Sequence, residues 1–328
     1  MPVGGGEAAL IRRHFERLTA NREGVELGIG DDAALLAPCE EGQPLMAACC
    51  DTLVADVHFP ADIPPQALGH RVLAVNLSDL AAVGARPRWA LLSVTLPHSD
   101  EQWLAGFSDG LRTLADRAGC ALVGGDTTHG PLAVSLTALG EVRGHPGIRR
   151  AGARPGDEIW VTGALGDAAL GLELWQGRDP DDVLAGDPAY LVGRLFRPEP
   201  RLAAGAALLG EATAAIDVSD GLAADLGRLL EESGAGATLE LDQLPRSEAF
   251  IAEGGSLRHQ LHGGDDYELC FTLPGDSADD QAALLGRLGV PATRIGTVEG
   301  TPGLRGRDAH GSVCALDPWG YDHFGGQS

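Results

Sequence analysis

Apolar positions along the chain keep to two periods, and the two alternate. EAALIRRHFERLTA (7–20) carries Leu10, Ile11, Phe15 and Leu18 at helical spacing, which predicts a helix. PPQALGHRVLAVNLSDLAAVGA (64–85) opens on prolines and closes at Gly84, the start and stop signals of a second helix. SDEQWLAGFSDGLRTLADRAG (99–119) predicts a third, with Ser99 as its N-cap. PLMAACCD (44–51), WALLSVTLP (89–97), ALVGGD (121–126) and LAVSLTALGEV (132–142) read as strands.

GHPGIRRAGARPGDEI (144–159) breaks this rhythm. It is rich in Gly, Pro and Arg and has no periodicity, so a domain boundary is expected between 145 and 155. We expect one domain over 1–148 and a second over 149–328. In the second, EIWVTG, AAIDVS, ATLELD, ELCFTL and ATRIGTV are expected strands. GDAALGLELW, PEPRLAAGAALLG, DGLAADLGRLLEES and DDQAALLGRLG are expected helices between them. This alternation predicts an α/β or layered α+β architecture. The tail GGQS is expected to be disordered.

Composition narrows the chemistry. All 24 basic residues among the 328 are arginine. That excludes a GxxxxGK[ST] phosphate loop, a lysine Schiff base and a lysine general base. A net charge of -23 opposes nucleic-acid binding and polybasic membrane contact. No apolar run reaches a membrane-spanning length, and MPVGGGEAAL lacks the features of a signal peptide. The cysteines (Cys39, Cys49, Cys50, Cys120, Cys270, Cys314) show no CxxC spacing, so a reduced, cytoplasmic setting is expected. The abundant glycine is read either as tight turns and close helix packing or as the mark of a GC-rich genome.

Against this background, aspartates recur at strand ends and helix starts: Asp31 and Asp32 in GIGDDAALL, Asp51 in CCDTL, Asp79 in NLSDLAAVGA, Asp126 in VGGDTT, Asp217 and Asp220 in IDVSDGL. Each has a structural explanation. Asp220 suits a helix N-cap, and Asp31, Asp32 and Asp126 suit turns. Asp79 sits within an apolar helix and needs a partner, Arg71, Arg86 or a cation. Taken together they point to metal. Oxygen-only ligands suit hard cations such as Mg²⁺, which is held by one or two carboxylates plus substrate phosphate. This reading requires the aspartates to converge and not to be spent on arginines. The glycine-rich turns GGDTT, VSDGL and HGGDDYEL offer backbone N–H groups for phosphate. Arg149 and Arg150 at the junction suit a phosphate clamp or a solvated loop. His58 in DVHF reads as a neutral donor or a satisfied histidine, and DPWGYDHF as a core cap or a stack for a flat heterocycle.

In this order, GIGDDAALL, DTLVADVHF, AVNLSDLAAVGA, LVGGDTTHG, RRAGARPGD, VTGALGDAALGL, RPEPRL, IDVSDGL, GGDDYELCF and GYDHF resemble the thiamine-monophosphate kinase family over nearly the whole chain. Several of these motifs are shared with the wider superfamily of aminoimidazole-ribotide synthetase and selenophosphate synthetase. The resemblance implies ATP-dependent phosphorylation of thiamine monophosphate to thiamine diphosphate. It also implies several Mg²⁺ ions, and a homodimer whose N-terminal sheets pair into a barrel. It carries metal-ligand roles onto Asp32, Asp51, Asp79, Asp126, Asp217 and Asp220. It carries ATP contacts onto Gly125, Asp126, Arg150 and Ser219, and thiamine-phosphate contacts onto His58, Asp265 and one aromatic of the tail, Tyr321 or Trp319. Three positions depart from the family pattern. Cys49 and Cys50 precede DTL where Ser/Thr is usual, Asp265 replaces a glutamate, and RAGCAL lacks an aromatic for the adenine.

The implied mechanism is positioning and electrostatics. The acceptor is already a phosphate oxygen, so no strong general base and no covalent intermediate are expected. Two other readings compete. One is a different ATP-using member of the superfamily, although residues 1–38 lack the cysteine that selenophosphate synthesis needs. The other is a non-catalytic acidic protein binding divalent ions, which the absence of EF-hand spacing disfavours.

Overall fold

The computed structural model describes residues 7–15, 23–38, 42–177, 186–275, 278–321 and 323. Residues 16–20 of the expected first helix, Cys39 and the GGQS tail lie outside them. Two sheets organise the chain. The first comprises β1 (Val25–Leu27), β2 (Ala34–Leu36), β3 (Leu45–Val54), β4 (Arg86–Leu96), β5 (Ala121–His129) and β6 (Ala133–Val142), in the order β1-β2-β3-β6-β4-β5. β6 alternates half-buried and buried residues throughout, the period-2 signature of a sheet with one covered face. Helix α2 (Pro65–Ala82) supplies the cover, and α1 (Glu7–His14) precedes β1.

Two ends of these helices show how the sequence acts locally. α2 starts at Pro65, with Gly84 (φ 73) just beyond its end. In α3 (Glu101–Ala118) the N-cap is Asp100 rather than Ser99. Its carboxylate accepts the N–H groups of Gln102 and Trp103 at 2.9 and 3.0 Å. An ionised acceptor at the positive end of the helix outcompetes a hydroxyl one residue earlier.

α2 is apolar on most of its circumference because most of it is covered, with Gln66 left exposed. One side packs on the first sheet. Another meets α3 so closely that a Cβ on Gly69 or Gly110 would strike the facing backbone oxygen at 1.9 Å. Its last turn, Ala81 and Ala82, enters a core with Ile148, Ala215, Leu269 and Phe271. Three of these four lie beyond residue 148, so α2 joins the two halves.

The second sheet comprises β7 (Glu158–Thr162), β8 (Ala214–Val218), β9 (Gly236–Glu240), β10 (Glu268–Leu273), β11 (Ala292–Glu299), β12 (Gly303–Arg307) and β13 (Val313–Leu316). Its order is β13-β12-β9-β11-β7-β10-β8. The helices of this half are α4 (Asp167–Gly177), α5 (Gly186–Phe196), α6 (Leu202–Leu208), α7 (Leu222–Ser233), α8 (Glu248–Ala252), α9 (Leu257–His262) and α10 (Ala278–Arg287), of which α4, α5 and α8 pack into the core of the first sheet. The mixed α/β class and the expected strands are observed. The first sheet is open in this chain, with β5 at its edge and exposed along its whole length.

Candidate active site

A cleft of about 1700 Å³ runs between the two sheets. That exceeds the usual 300–1,000 Å³ of a single-ligand pocket and leaves room for two substrates. Asp51 from β3, Asp79 from the last turn of α2, Asp217 from β8, Asp220 from the β8–α7 turn and Asp32 from the segment before β2 all line it. Carboxylate oxygens of Asp32, Asp79 and Asp217 lie within 4.8 Å of one another. Burial is the main reason their proton affinities rise, and for Asp51, Asp79 and Asp217 neighbouring carboxylates add to it. Asp79 and Asp217 are pushed well above the ordinary range, Asp32 is raised, and Asp51 reaches about 6. Asp31, beside them, also reaches about 6.

Arginines meet some of this charge but not all. Arg150 pairs with Asp32 through Nε (3.1 Å) and Nη2. Arg228 pairs with Asp220 at 2.5 Å. Arg71, 2% exposed, bonds Asp265 Oδ1 at 2.6 Å and the Leu195 carbonyl rather than Asp79. Arg86 lies at the exposed start of β4. Asp32 Oδ2 is buried without a hydrogen-bond partner. Oxygen-only donors, crowded acids and an orphaned buried oxygen together fit a hard divalent cation.

On the second wall, His58 Nδ1 accepts the Val54 N–H at 3.0 Å, which leaves its proton on Nε2, facing His323 Nε2 at 3.2 Å. Burial and then His323 lower the affinity of His58 for a second proton, so the ring is neutral. Tyr321 lines the cleft, and its hydroxyl meets His323 Nδ1 at 3.3 Å. Trp319 stacks outside, on His262, at 4.1 Å. Asp265 has φ 61 and accepts from Tyr267 Oη at 3.2 Å as well as from Arg71, so its carboxylate is already engaged. Cys49 turns its thiol inward to the Asn76 carbonyl at 3.3 Å, with burial holding it protonated, whereas Cys50 faces the cleft.

Two expectations fail within this chain. Gly125 and Asp126 do not line the cleft. The register runs Asp51–Leu136–Leu92–Gly125 across three strand steps. At about 4.8 Å per step, that sets Asp126 roughly 14 Å along the sheet from Asp51. The VSDGL turn does not offer its N–H groups to phosphate either. Those of Ser219, Asp220 and Gly221 all go to Asp225 Oδ2, at 3.0, 3.0 and 3.1 Å. Ser219 itself lines the cleft. Asp225, Arg228 and His323 escaped the sequence reading, and Arg71, weighed there as a partner for Asp79, pairs with Asp265 instead. The DxxxxD spacing of SDGLAAD and the DHF of the tail were the available signals.

The chain matches the AIR synthase related protein N-terminal domain over residues 30–142 and the C-terminal domain of the same family over 154–309. It is 46% identical over 326 residues to the thiamine-monophosphate kinase of Salmonella typhimurium, covering 97% of this chain and 98% of that one. The chain belongs to the thiamine-monophosphate kinase family. The Escherichia coli K12 member is 47% identical over the same share of both chains. The crystal structure of thiamine-monophosphate kinase from Stenotrophomonas maltophilia K279a superposes with a TM-score of 0.76 at 44% identity, over 90% of this chain and 95% of that one. AaThiL complexed with AMPPCP and TMP gives 0.82 at 30% identity, over 97% of each. Hydrogenase maturation proteins HypE, at 19–22% identity, share the fold. Membership in the thiamine-monophosphate kinase family agrees with the kinase reading of the motifs.

Proposed function

We propose that this chain transfers the γ-phosphoryl group of ATP directly to the phosphate of thiamine monophosphate, giving thiamine diphosphate and ADP. The supporting observation is the carboxylate trio Asp32, Asp79 and Asp217, short of positive partners, in a cleft large enough for both substrates. Asp32, Asp79 and Asp217 would hold Mg²⁺, with Asp51 and Asp220 at its flanks. Mg²⁺ there would neutralise phosphate charge and let two polyanions approach.

The chain's own residues orient the reactants. Arg150 and Ser219 face the nucleotide phosphates. The neutral Nε2–H of His58 and the ring of Tyr321 face thiamine phosphate. Asp265 acts through Arg71 on the shape of that wall. The acceptor oxygen is ionised at neutral pH, so positioning replaces base catalysis and no residue need become phosphorylated.

A second copy completes the reading. β5 is an unpaired edge, and Leu91, Leu122 and Val123 are exposed at 41, 48 and 57%. An open edge with apolar side chains calls for a partner strand. We take that partner to be another copy of this chain, whose Gly125 and Asp126 reach the cleft that this chain's own cannot.

Incubation with MgATP and thiamine monophosphate, followed by chromatography of the oxidised thiamine products, tests the activity. Thiamine diphosphate should accumulate in step with ADP. ADP without thiamine diphosphate would end the reading, and a labelled protein after γ-labelled ATP would end the direct-transfer mechanism.

A further inference from the structure

Arg228 divides its guanidinium between two carboxylates of unlike character. Nη1 donates to Asp225 Oδ1 at 2.8 Å, and Nη2 pairs with Asp220 Oδ2 at 2.5 Å. Asp225 is 1% exposed, and its other oxygen is saturated by the N–H groups of Ser219, Asp220 and Gly221. That end of the fork is fixed. The turn it grips is fixed too, since the N–H groups of Tyr267, Asp265 and Tyr321 take the carbonyls of Val218, Ser219 and Asp220. The other end is not fixed. The side chains of Arg228 and Asp220 are 34% and 24% exposed, and both line the cleft.

A divalent cation drawn to Asp220 competes with Nη2 for the same carboxylate. When the cation wins, the guanidinium stays tethered to Asp225 and keeps its charge. Its freed N–H groups then face a cleft into which the cation has brought phosphate oxygens, the anions a guanidinium fork binds best. We propose that Arg228 exchanges partners on loading, releasing Asp220 to the cation and taking a phosphate oxygen of the nucleotide in its place. Asp225 is the anchor that keeps it within reach. This rests on the ATP- and cation-binding reading of the cleft above.

The two halves of the exchange have opposite signs, which a purely structural residue would not produce. Binding of Mn²⁺ alone to the full-length protein is measured by calorimetry, and binding of a non-hydrolysable ATP analogue with Mg²⁺ by equilibrium dialysis. Arg228→Met should raise Mn²⁺ affinity several-fold, because a competing charge is gone. The same variant should weaken analogue binding about tenfold or more. Arg228→Lys, a cation without the fork, should recover part of the analogue binding. Unchanged or weaker Mn²⁺ binding by Arg228→Met would show that Arg228 does not compete with the cation for Asp220. Unchanged analogue binding would show that it never meets phosphate. Either result overturns the proposal. Neither measurement uses thiamine monophosphate, so a wild-type protein that binds the analogue but forms no thiamine diphosphate would refute the proposed reaction and leave this test intact.

Discussion

Replacing Asp217 by Asn should make the metal-free protein more stable while removing its function. Asp217 is 4% exposed and shares its oxygens' neighbourhood, within 4.8 Å, with Asp32 and Asp79. At an effective dielectric constant near 20, two unit charges at that distance repel by roughly 3 kcal/mol. The trio lowers this cost by retaining protons, and Arg150 offsets part of it, so a net gain of about 2 kcal/mol is a fair expectation for the neutral amide. Unfolding entropy scales with length, and for 328 residues about 1 kcal/mol corresponds to roughly 1.5 °C in Tm. Asp217→Asn should therefore melt about 3 °C higher than the wild type in EDTA at pH 7.5.

Magnesium should reverse the order. A ligand present at about a hundred times its Kd stabilises the folded state by ~2.7 kcal/mol, or roughly 4 °C here. The variant, lacking one of three converging carboxylates, should gain little of this. Scanning calorimetry of both proteins, with EDTA and with millimolar MgCl₂, reads all four values. A variant less stable than wild type in EDTA would mean that Asp217 holds the fold together. An equal magnesium gain in both would mean that the cation binds elsewhere.

Asp266, buried and receiving the Gly166 N–H, is pushed well above the ordinary carboxylate range, mainly by burial. Because its folded proton affinity exceeds the unfolded one, its stabilising contribution is complete at acid pH and is lost as pH rises through the folded pKa. Asp266→Asn should give a flatter plot of Tm against pH above pH 4, and parallel plots would refute this. Among the described cysteines, iodoacetamide at pH 8 should label Cys50 and Cys314 and spare Cys49, Cys120 and Cys270, whose thiols are buried and pushed up, the last two to about 11 and 12. MgATP should protect Cys50, and mass spectrometry of the labelled peptides reads both outcomes. If a second copy supplies Asp126, inactive Asp51→Asn and Asp126→Asn proteins should recover about a quarter of wild-type turnover when mixed and allowed to exchange subunits. No recovery would place both residues in one chain's site.

The parts of the fold that were legible in the sequence are those governed by local pattern. The strand LAVSLTALGEV and the helix from Pro65 followed from period and punctuation alone. α5, over GDPAYLVGRLF, was missed because glycine and proline at its start masked its helical spacing. β12 and β13 were missed because glycine and arginine interrupt the first and polar residues dilute the second. In the site, aspartates at strand ends were found because turns bring them to the cleft wherever the strands lie. Asp126 has the same local signature as Asp51. What separates them is strand order, set by pairings between residues far apart in the chain, and no window of sequence contains it. Asp225 looked like an ordinary first-turn helix residue, and its role emerges only once the preceding turn folds back onto it.

The chain also holds a second buried acidic cluster, and the contrast shows what makes the first a site. Asp167, Asp266 and Glu268 are all at most 1% exposed. Arg194 bonds Glu268 at 2.8 Å, Arg201 grips it with Nε at 2.6 Å and again with Nη2, and the Thr162 hydroxyl donates to it at 2.7 Å. None of the three acids lines the cleft. There Glu268 is neutralised on the spot by guanidinium groups that cannot shed their charge, Asp266 takes the Gly166 N–H with its proton affinity raised by burial, and solvent is shut out; the cluster fixes β10 against α5. The cleft inverts both conditions. Five carboxylates, Asp32, Asp51, Asp79, Asp217 and Asp220, face two pairing arginines, Arg150 on Asp32 and Arg228 on Asp220. With no lysine anywhere in the chain, the deficit has only two remedies, protons or metal ions. The raised proton affinities of Asp79 and Asp217 correspond to the first. The second is stronger, because a divalent ion brings two charges to oxygens already converged within 4.8 Å. The overall charge of -23 repels a nucleotide only weakly beyond a Debye length of ~8 Å, so the local deficit, and the cations it recruits, decides whether phosphate enters.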